Sequence, residues 1–372
     1  MQLGVYIHIP FCLKKCSYCD FNSYPNKQHL VDDYIASVLK EISNLKSQIS
    51  NRISTIYFGG GTPSLVHPEY ICKLISVLTD KPDKIEITLE ANPGTIDLDK
   101  LKQYKQAGIN RISLGIQSFD ETVLKSMGRV HRVSDNIAGF QAAREAGFDN
   151  LSLDLIFGYP SQTIESWKET VKQIIAWRPE HISSYGLTIE PETRLYQEIQ
   201  LRKVVPLEEE IELEMYQYAI QQFKQAGYIH YEISNFARPG RECRHNLNYW
   251  NDTDYLGFGA GAHSYWDGER FWNLDSPEEY IQKIQSGQSP RMGSERLEGK
   301  RKMAEYAMLS LRTMQGLELN KFHQKFQQEF IEIFKTELLP LFDSGLLEQD
   351  TQFIRLTDKG ILLSNEVFSN LF

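Results

Sequence analysis

The chain has 372 residues and a formal net charge of −9 at pH 7, with 41% hydrophobic and 24% charged residues. These values are typical of a globular protein long enough for two or three domains. The acidic balance argues against broad nucleic-acid binding, and no apolar run approaches the roughly 18–20 residues that a membrane span needs. The amino terminus shows no basic region or cleavage signature, so we expect a cytoplasmic protein. Five cysteines, an odd number, do not indicate a disulfide framework.

Short β-rich runs alternate with amphipathic helical patterns through the first two-thirds of the chain. The predicted strands are Val5–Ile9, Ile53–Phe58, Lys84–Leu89, Arg111–Gly115, Asn150–Ile156 and His181–Leu187. The predicted helices between them are Leu30–Ile49, Pro68–Leu78, Leu98–Ala107, Asn136–Ala146 and Thr163–Ala176. A repeat of about thirty residues indicates βα units around a parallel sheet. Six such strands predict an α/β fold with a partial (β/α)6 barrel, whose chemistry belongs at the carboxyl ends of the strands.

Three cysteines, Cys12, Cys16 and Cys19, follow the first predicted strand with the spacing C-x3-C-x2-C. Thiolates are soft ligands that suit iron–sulfur clusters and zinc. A structural zinc site takes four ligands, and the next cysteine, Cys72, is far along the chain. Three cysteines can hold a 4Fe–4S cluster through three of its irons, which leaves the fourth iron open. A zinc site completed by a distant His or Asp is the alternative, and simple burial of three clustered thiols explains the spacing poorly.

This motif resembles the cluster loop of the radical S-adenosylmethionine (SAM) superfamily. The flanking sequences YIHIPFC (6–12) and YCDF (18–21) resemble the HemW family of haem chaperones, relatives of the oxygen-independent coproporphyrinogen III dehydrogenases (HemN). The resemblance implies a 4Fe–4S cluster on the three cysteines, SAM bound at the open iron, and reductive cleavage of SAM as the superfamily's chemistry. It leaves open whether SAM is cleaved here or only bound.

The strand ends carry further matches to the superfamily's SAM-binding positions. The implied SAM-binding residues are Tyr6, Tyr18, Gly59, Gly60, Gly61, Thr62, Glu90, Gln117, Arg129 and Asp154. Taken alone, the glycine run is a weak signal of ligand binding, because a tight βα turn is its alternative explanation, and a lone glutamate or arginine at such a position is more often a solvated surface residue. Asp154 is different because it stands inside an apolar run, where a carboxylate needs either a structural partner or a ligand.

A second constellation lies in the connecting region, where residues 245–250 read HNLNYW. This sequence resembles the HNxxYW signature of HemW and its relatives, and the resemblance implies a part in haem binding. Histidine and cysteine are both usual axial ligands of haem iron, so His245 is a candidate haem ligand and Cys243 is the alternative. A structural role, with His245 hydrogen-bonded inside an aromatic lid, stays open on residue chemistry alone. The glycines at 257–261 lack the spacing of a dinucleotide fingerprint.

Residues after about Gln288 predict a separate unit, with a linker at Pro290–Gly293. Helices at 300–313, 320–326, 331–342 and 358–364, with a hairpin at 345–356, predict an α+β winged-helix-like domain. Its ten Lys and Arg against eleven Asp and Glu between Arg296 and Phe372 favour packing or partner docking over DNA binding. We therefore divide the chain into a core barrel with the cluster and SAM site (1–230), a connecting region with the HNxxYW motif (231–288) and a C-terminal HemN-type domain (289–372).

Two functions fit the resemblance. The first is a haem chaperone that binds haem and delivers it to a client haemoprotein. The second is an oxygen-independent coproporphyrinogen III dehydrogenase, which oxidatively decarboxylates two propionates to give protoporphyrinogen IX. The dehydrogenases carry an additional cysteine where Phe21 stands here, which favours the chaperone. An RNA-modifying radical SAM enzyme is a third reading, disfavoured by the acidic balance and the absence of extra cluster cysteines.

Overall fold

A computed structural model describes residues 2–49 and 51–372. The strands of the first half are β1 (Leu3–Ile9), β2 (Phe11–Cys12), β3 (Tyr24–Pro25), β4 (Ile53–Gly60), β5 (Glu86–Ala91), β6 (Arg111–Gln117), β7 (Leu151–Phe157) and β8 (His181–Gly186). The helices of this half are α1 (Val31–Ile49), α2 (Pro68–Leu78), α3 (Leu98–Gln106), α4 (Glu121–Ser126), α5 (Val133–Glu145) and α6 (Ile164–Trp177).

The six long strands pair in the order β1-β4-β5-β6-β7-β8, and every neighbouring pair is parallel. The predicted partial (β/α)6 barrel is therefore confirmed. Its side chains alternate as the pleat requires. Along β4, Ile56 and Phe58 join the main core with the apolar helix faces, whereas Thr55 and Tyr57 point to the inside of the barrel.

The sheet continues past the barrel at both edges. The next strands are β9 (Ile229–Glu232), β10 (Asn235–Ala237), β11 (Tyr255–Phe258), β12 (His263–Trp266), β13 (Glu269–Asn273) and β14 (Arg291–Glu295). Strand β11 pairs in parallel with β1, and β12, β13 and β14 extend that edge to complete a twelve-stranded sheet.

The prediction of a linker at Pro290–Gly293 was wrong, because most of that segment lies in β14. The strand is short and exposed, so its sequence carries no apolar alternation, and pairing with β13 alone makes it a strand.

Four helices connect these outer strands: α7 (Arg194–Gln200), α8 (Glu209–Gln225), α9 (Arg244–Trp250) and α10 (Pro277–Gln285). Helix α8 packs beside α6 on the outside of the barrel. Helix α9 instead enters the inside and contacts β4 and β1.

The C-terminal residues form a compact unit with its own apolar core. It contains α11 (Gly299–Leu311), α12 (Leu319–Phe326), α13 (Phe330–Ile333), α14 (Lys335–Asp343), α15 (Asp358–Leu362) and α16 (Ser364–Asn370). Its strands β15 (Leu317–Glu318), β16 (Leu347–Gln349) and β17 (Phe353–Leu356) form a three-stranded antiparallel sheet. This helix and strand order is that of the predicted winged-helix-like domain.

A buried ion pair joins this unit to the turn that follows α9, between Lys302 and Asp252 at 3.2 Å. Among the residues that the structure describes, no helix is long and apolar enough to cross a membrane.

Candidate functional site

A cavity of about 470 Å³ opens at the carboxyl ends of the barrel strands. That volume is in the range of small-molecule sites. All three cysteines of the loop line it, together with Tyr18, Gly60, Gly61, Thr62, Glu90, Gln117, Arg129 and Asp154. The structure therefore brings together most of the site residues that were predicted from the sequence, from positions spread over about 140 residues of chain.

The cysteine loop is held by backbone and side-chain contacts. Strand β2 within the loop pairs in parallel with β3. All three thiols are free, and Cys12 is the most buried of them, at 8% exposure. The Sγ atom of Cys12 lies 3.5 Å from Thr62 Oγ1, and that of Cys16 lies 3.7 Å from Arg129 Nη1. Burial raises the pKa values of the Cys12 and Cys19 thiols, so a metal centre would have to displace their protons.

The donor set fits an iron–sulfur cluster. Three thiols gather at the mouth of one cavity, beside a guanidinium that reaches Cys16. Within the described residues, no three His, Cys, Asp or Glu side chains converge on a single-ion position. A four-iron cluster does not require such convergence, because each thiolate binds a different iron.

The glycine run is explained by close packing against the cysteine loop. A Cβ on Gly61 would lie 2.8 Å from the carbonyl oxygen of Phe11 and 3.1 Å from Cys12 Sγ. Gly60 has a φ of +115°, and a side chain there would collide with the ring of His8. The turn thus needs glycine at positions 60 and 61 to pack against His8 and the cysteine loop.

Two of the nominated residues lie behind the cavity wall rather than on it. Gly59 and Tyr6 are absent from the cavity lining, and a Cβ on Gly59 would meet the Tyr6 ring at 2.9 Å. The Tyr6 hydroxyl lies 3.0 Å from His8 Nδ1, and His8 Nε2 donates to the carbonyl of Asn22 at 2.7 Å. Tyr6 therefore supports the cysteine loop through His8 in this structure.

Two carboxyl groups face the cavity with perturbed acidity. Glu90 accepts hydrogen bonds from the Tyr57 hydroxyl at 2.8 Å and from the Gly60 amide at 3.2 Å. Burial raises the pKa of Glu90 to about 7, although the bond from Tyr57 opposes the shift. Asp154 accepts from the hydroxyls of Ser113 and Ser152, and burial raises its pKa as well. The carboxylate inside an apolar run thus has structural partners and also faces the cavity.

Arg129 and Gln117 complete the wall nearest the cysteines. Arg129 donates from Nη2 to the carbonyl of Gly115 at 3.1 Å, whereas its buried Nε has no partner among the described residues. Arg129 lines the cavity, and a guanidinium there suits an anionic group such as the carboxylate of an amino acid. Gln117 has a φ of +64°, at a register shift between β6 and β7 that turns its side chain toward the cavity.

The HNxxYW helix fills the inside of the barrel below this cavity. The backbone amides of Arg244 and His245 donate to the Glu86 carboxylate at 3.2 and 3.0 Å, so the amino terminus of α9 is anchored to β5. His245 is 1% exposed, with Nδ1 at 2.8 Å from Thr55 Oγ1 and Nε2 at 2.9 Å from the Tyr249 hydroxyl. Burial lowers the pKa of His245 to about 3.

The expectation that His245 or Cys243 binds haem iron therefore gains no support from this geometry. Both ring nitrogens of His245 already have hydrogen-bond partners. Cys243 is fully buried, and burial raises the pKa of its thiol to about 12, which disfavours the thiolate needed for ligation. Of this motif, only Asn246 reaches the cavity wall.

Arg111 and Tyr57 line the cavity, although the sequence interpretation did not nominate them. The sequence signal that could have identified Arg111 was its position in the strand. Arg111 stands at the start of a predicted strand whose apolar residues Ile112 and Leu114 face the core, so the alternation sends Arg111 inward with Ser113.

The fold and the three-cysteine cavity define a class of protein, and the model of the Radical SAM superfamily matches residues 6–174. The HemN C-terminal domain model matches residues 297–363. Within that class the chain belongs to the HemW family. The "Heme chaperone HemW" of Bacillus subtilis is 38% identical to it over 370 residues, which cover 98% of each chain. The protein of the same name from Escherichia coli is 41% identical over 266 residues, covering 70% of this chain and 69% of that one.

A solved structure extends the similarity to the whole fold. The coproporphyrinogen III oxidase (HemN) from Escherichia coli, described as a radical SAM enzyme, superposes with a TM-score of 0.86 at 27% identity. The match covers 100% of this chain and 90% of that one.

Proposed function

We propose that the protein holds a 4Fe–4S cluster on Cys12, Cys16 and Cys19 and binds SAM in the cavity beside it. The observation that carries this proposal is the convergence of three free thiols with Glu90 and Arg129 around one cavity. When bound, the cluster and SAM would supply the superfamily's one-electron chemistry.

The chain's own residues would bind and orient the SAM molecule. Arg129 offers an unpaired donor next to Cys16, which suits the carboxylate end of the ligand. Asp154 and Gln117 face the cavity with groups suited to hydroxyl and amide contacts. Glu90, with its pKa near 7, would provide a negative charge for the cationic end of SAM above neutral pH.

We further propose that the protein is a cytoplasmic haem chaperone that passes haem to a client haemoprotein. The names of its HemW relatives support this function. Phe21 supports it too, because it stands where the dehydrogenases carry an additional cysteine and is 64% exposed beside the cysteine loop. An exposed aromatic ring at the mouth of a cavity is a contact surface for an apolar macrocycle.

Haem iron needs an accessible ligand, and His263 is better placed for this role than His245. The His263 side chain is exposed, and its ring makes no hydrogen bond within the described ranges. It stacks on Trp272 with ring centroids 5.7 Å apart and planes 19° apart, which holds the ring in place. Partial burial of the ring lowers the pKa of His263, which favours the neutral imidazole that binds iron.

The second candidate function is a coproporphyrinogen III dehydrogenase. The superposition with the HemN enzyme over the whole chain favours this alternative. The two functions differ in outcome: a chaperone binds haem and releases it to another protein, whereas a dehydrogenase converts coproporphyrinogen III.

One anaerobic experiment separates them. The full-length protein is reconstituted with iron and sulfide, and SAM binding is measured by equilibrium dialysis. Haem is then titrated while the Soret band is recorded, and a parallel sample receives coproporphyrinogen III, SAM and a reductant. We expect saturable haem binding without protoporphyrinogen. Product formation that depends on Cys12, Cys16 and Cys19 would refute the chaperone and establish a dehydrogenase despite Phe21.

The haem titration also discriminates between the two histidines. His263→Ala should weaken haem binding and shift the Soret band while the protein stays folded. His245→Ala should change haem binding only to the extent that it unfolds the barrel, so far-UV circular dichroism of each variant is the control.

A further inference from the structure

Arg111 is a buried cation that makes no hydrogen bond or ion pair with the described residues, although the Glu86 carboxylate is close enough to attract it. It lies at the amino-terminal end of β6, and its side chain is 2% exposed. In the part of the chain that the structure describes, its guanidinium makes no hydrogen bond or ion pair within reach, and its Nε is a buried donor left unsatisfied. The residue nevertheless lines the cavity, so a ligand inside it would meet the guanidinium.

The acidic groups around Arg111 are already satisfied by other donors. Glu86 accepts the amides that open α9, and Asp154 accepts the hydroxyls of Ser113 and Ser152. Glu90 accepts from Tyr57 and Gly60. Among the described residues, the arginine is therefore the one charged group at this end of the cavity that makes no hydrogen bond or ion pair.

A desolvated cation with unpaired donors is costly, and a second charge in hydrogen-bonding contact offsets that cost. The guanidinium presents its donors as a rigid fork that matches a carboxylate in two parallel hydrogen bonds. A carboxylate entering the cavity would thus meet the one group on the floor prepared to bind it.

This position is too far from the cysteines to serve the carboxylate of SAM at the cluster. Arg111 and Gln117 stand at opposite ends of one strand, roughly 15–20 Å apart at the rise of an extended chain. Arg129, beside Cys16, is the arginine available at the cluster end.

We propose that the floor of the cavity, around Arg111, is a carboxylate-binding subsite for a second ligand that lies below SAM. The proposal rests on the proposed SAM site for its account of the upper cavity. The hydroxyl of Ser113 and the amide side chain of Asn246 line the same floor and offer further polar contacts to such a ligand.

The test uses sodium propionate as the probe and the melting temperature of the full-length protein as the readout. Propionate is compared with propionamide and with sodium chloride at constant ionic strength. We expect propionate alone to raise Tm saturably, by about 2 °C or more. Arg111→Gln should abolish the shift, and Arg301→Gln, which changes an exposed arginine of α11, should preserve it. An equal shift in R111Q, or no difference between propionate and propionamide for the wild-type protein, would overturn the proposal.

A second arm repeats the titration with saturating SAM. We expect the propionate shift to persist, because the two ligands occupy different ends of the cavity. Loss of the shift would show that Arg111 serves the carboxylate of SAM and would also overturn the proposal. Failure of SAM to bind, measured separately by dialysis, refutes the proposed function but leaves an Arg111-dependent propionate shift standing. If R111Q does not fold, a crystal structure of the wild-type protein with propionate decides, since the ligand must lie on Arg111.

Discussion

His245→Ala should destabilise the barrel strongly, because His245 acts as a buried link between α9 and the sheet. Its ring nitrogens contact the hydroxyls of Thr55 and Tyr249, and its ring stacks on Tyr57 at 5.0 Å. Losing each hydrogen bond while its partner stays buried costs about 1–2 kcal/mol. The unfilled ring volume adds about 1–2 kcal/mol, so the free energy of unfolding should fall by about 3–6 kcal/mol.

Urea unfolding of the cluster-free protein, followed by circular dichroism and tryptophan fluorescence, measures this loss. Tyr249→Phe removes one hydroxyl and should cost about 1–2 kcal/mol. The double variant should show a coupling of about 1 kcal/mol with His245→Ala, because the two changes share one hydrogen bond. His263→Ala, at an exposed site, should stay within about 0.5 kcal/mol of the wild-type protein.

Acid titration provides an independent check on the same residue. The pKa of His245 is about 3 in the folded protein and about 6.5 in an unfolded chain. Between these values the unfolded chain binds a proton that the native protein does not, so the stability from this group is lost as pH falls. Replacing His245 should therefore flatten the fall in stability by up to about 1.4 kcal/mol per pH unit in that window.

A cost below about 1 kcal/mol for His245→Ala, with an unchanged pH slope, would refute the reasoning. Such a result would mean that the histidine is not held inside the barrel in solution, and it would restore His245 as an accessible haem ligand.

Further predictions address the cysteine loop, the cavity and the domain contact. Serine at any cysteine of the loop should abolish retention of iron and sulfide after reconstitution, whereas Cys72→Ser, at an exposed thiol, should leave both contents unchanged. SAM affinity should rise between about pH 6 and pH 8 as Glu90 loses its proton, and an unchanged pH profile in Glu90→Gln would contradict this role. Lys302→Met removes one of two cations from each of the buried carboxylates of Asp252 and Glu305, which keep Lys325 and Arg270 as partners, and should lower the free energy of unfolding by about 1–2 kcal/mol. Lys73→Met, in an exposed ion pair, is its matched control and should change stability by less than about 1 kcal/mol.

Local patterns in the sequence were sufficient to predict the barrel. The six inner strands begin and end within a few residues of their predicted bounds, because apolar runs separated by amphipathic helices encode each βα unit locally. The outer strands were not predicted, because their sequences lack such a local pattern. Strand β11 pairs with β1, from the other end of the barrel domain, and β14 is exposed, so neither carries a local signal strong enough to find.

The candidate site also has a part that the sequence predicted and a part that only the tertiary structure decided. Cysteine spacing and strand-end motifs identified the cysteine loop and most of the cavity wall, because residues at the ends of parallel strands meet at one edge of the sheet. The HNxxYW motif was identified as a pattern, but its sequence does not say which way the helix faces. The tertiary structure alone decided that α9 lies inside the barrel, that His245 is buried and that Arg111 makes no hydrogen bond with any described residue. The physical reason is the distance along the chain between interacting residues. Neighbouring residues determine a helix or strand, whereas a contact such as that between Thr55 and His245 exists only after the sheet has closed around the helix.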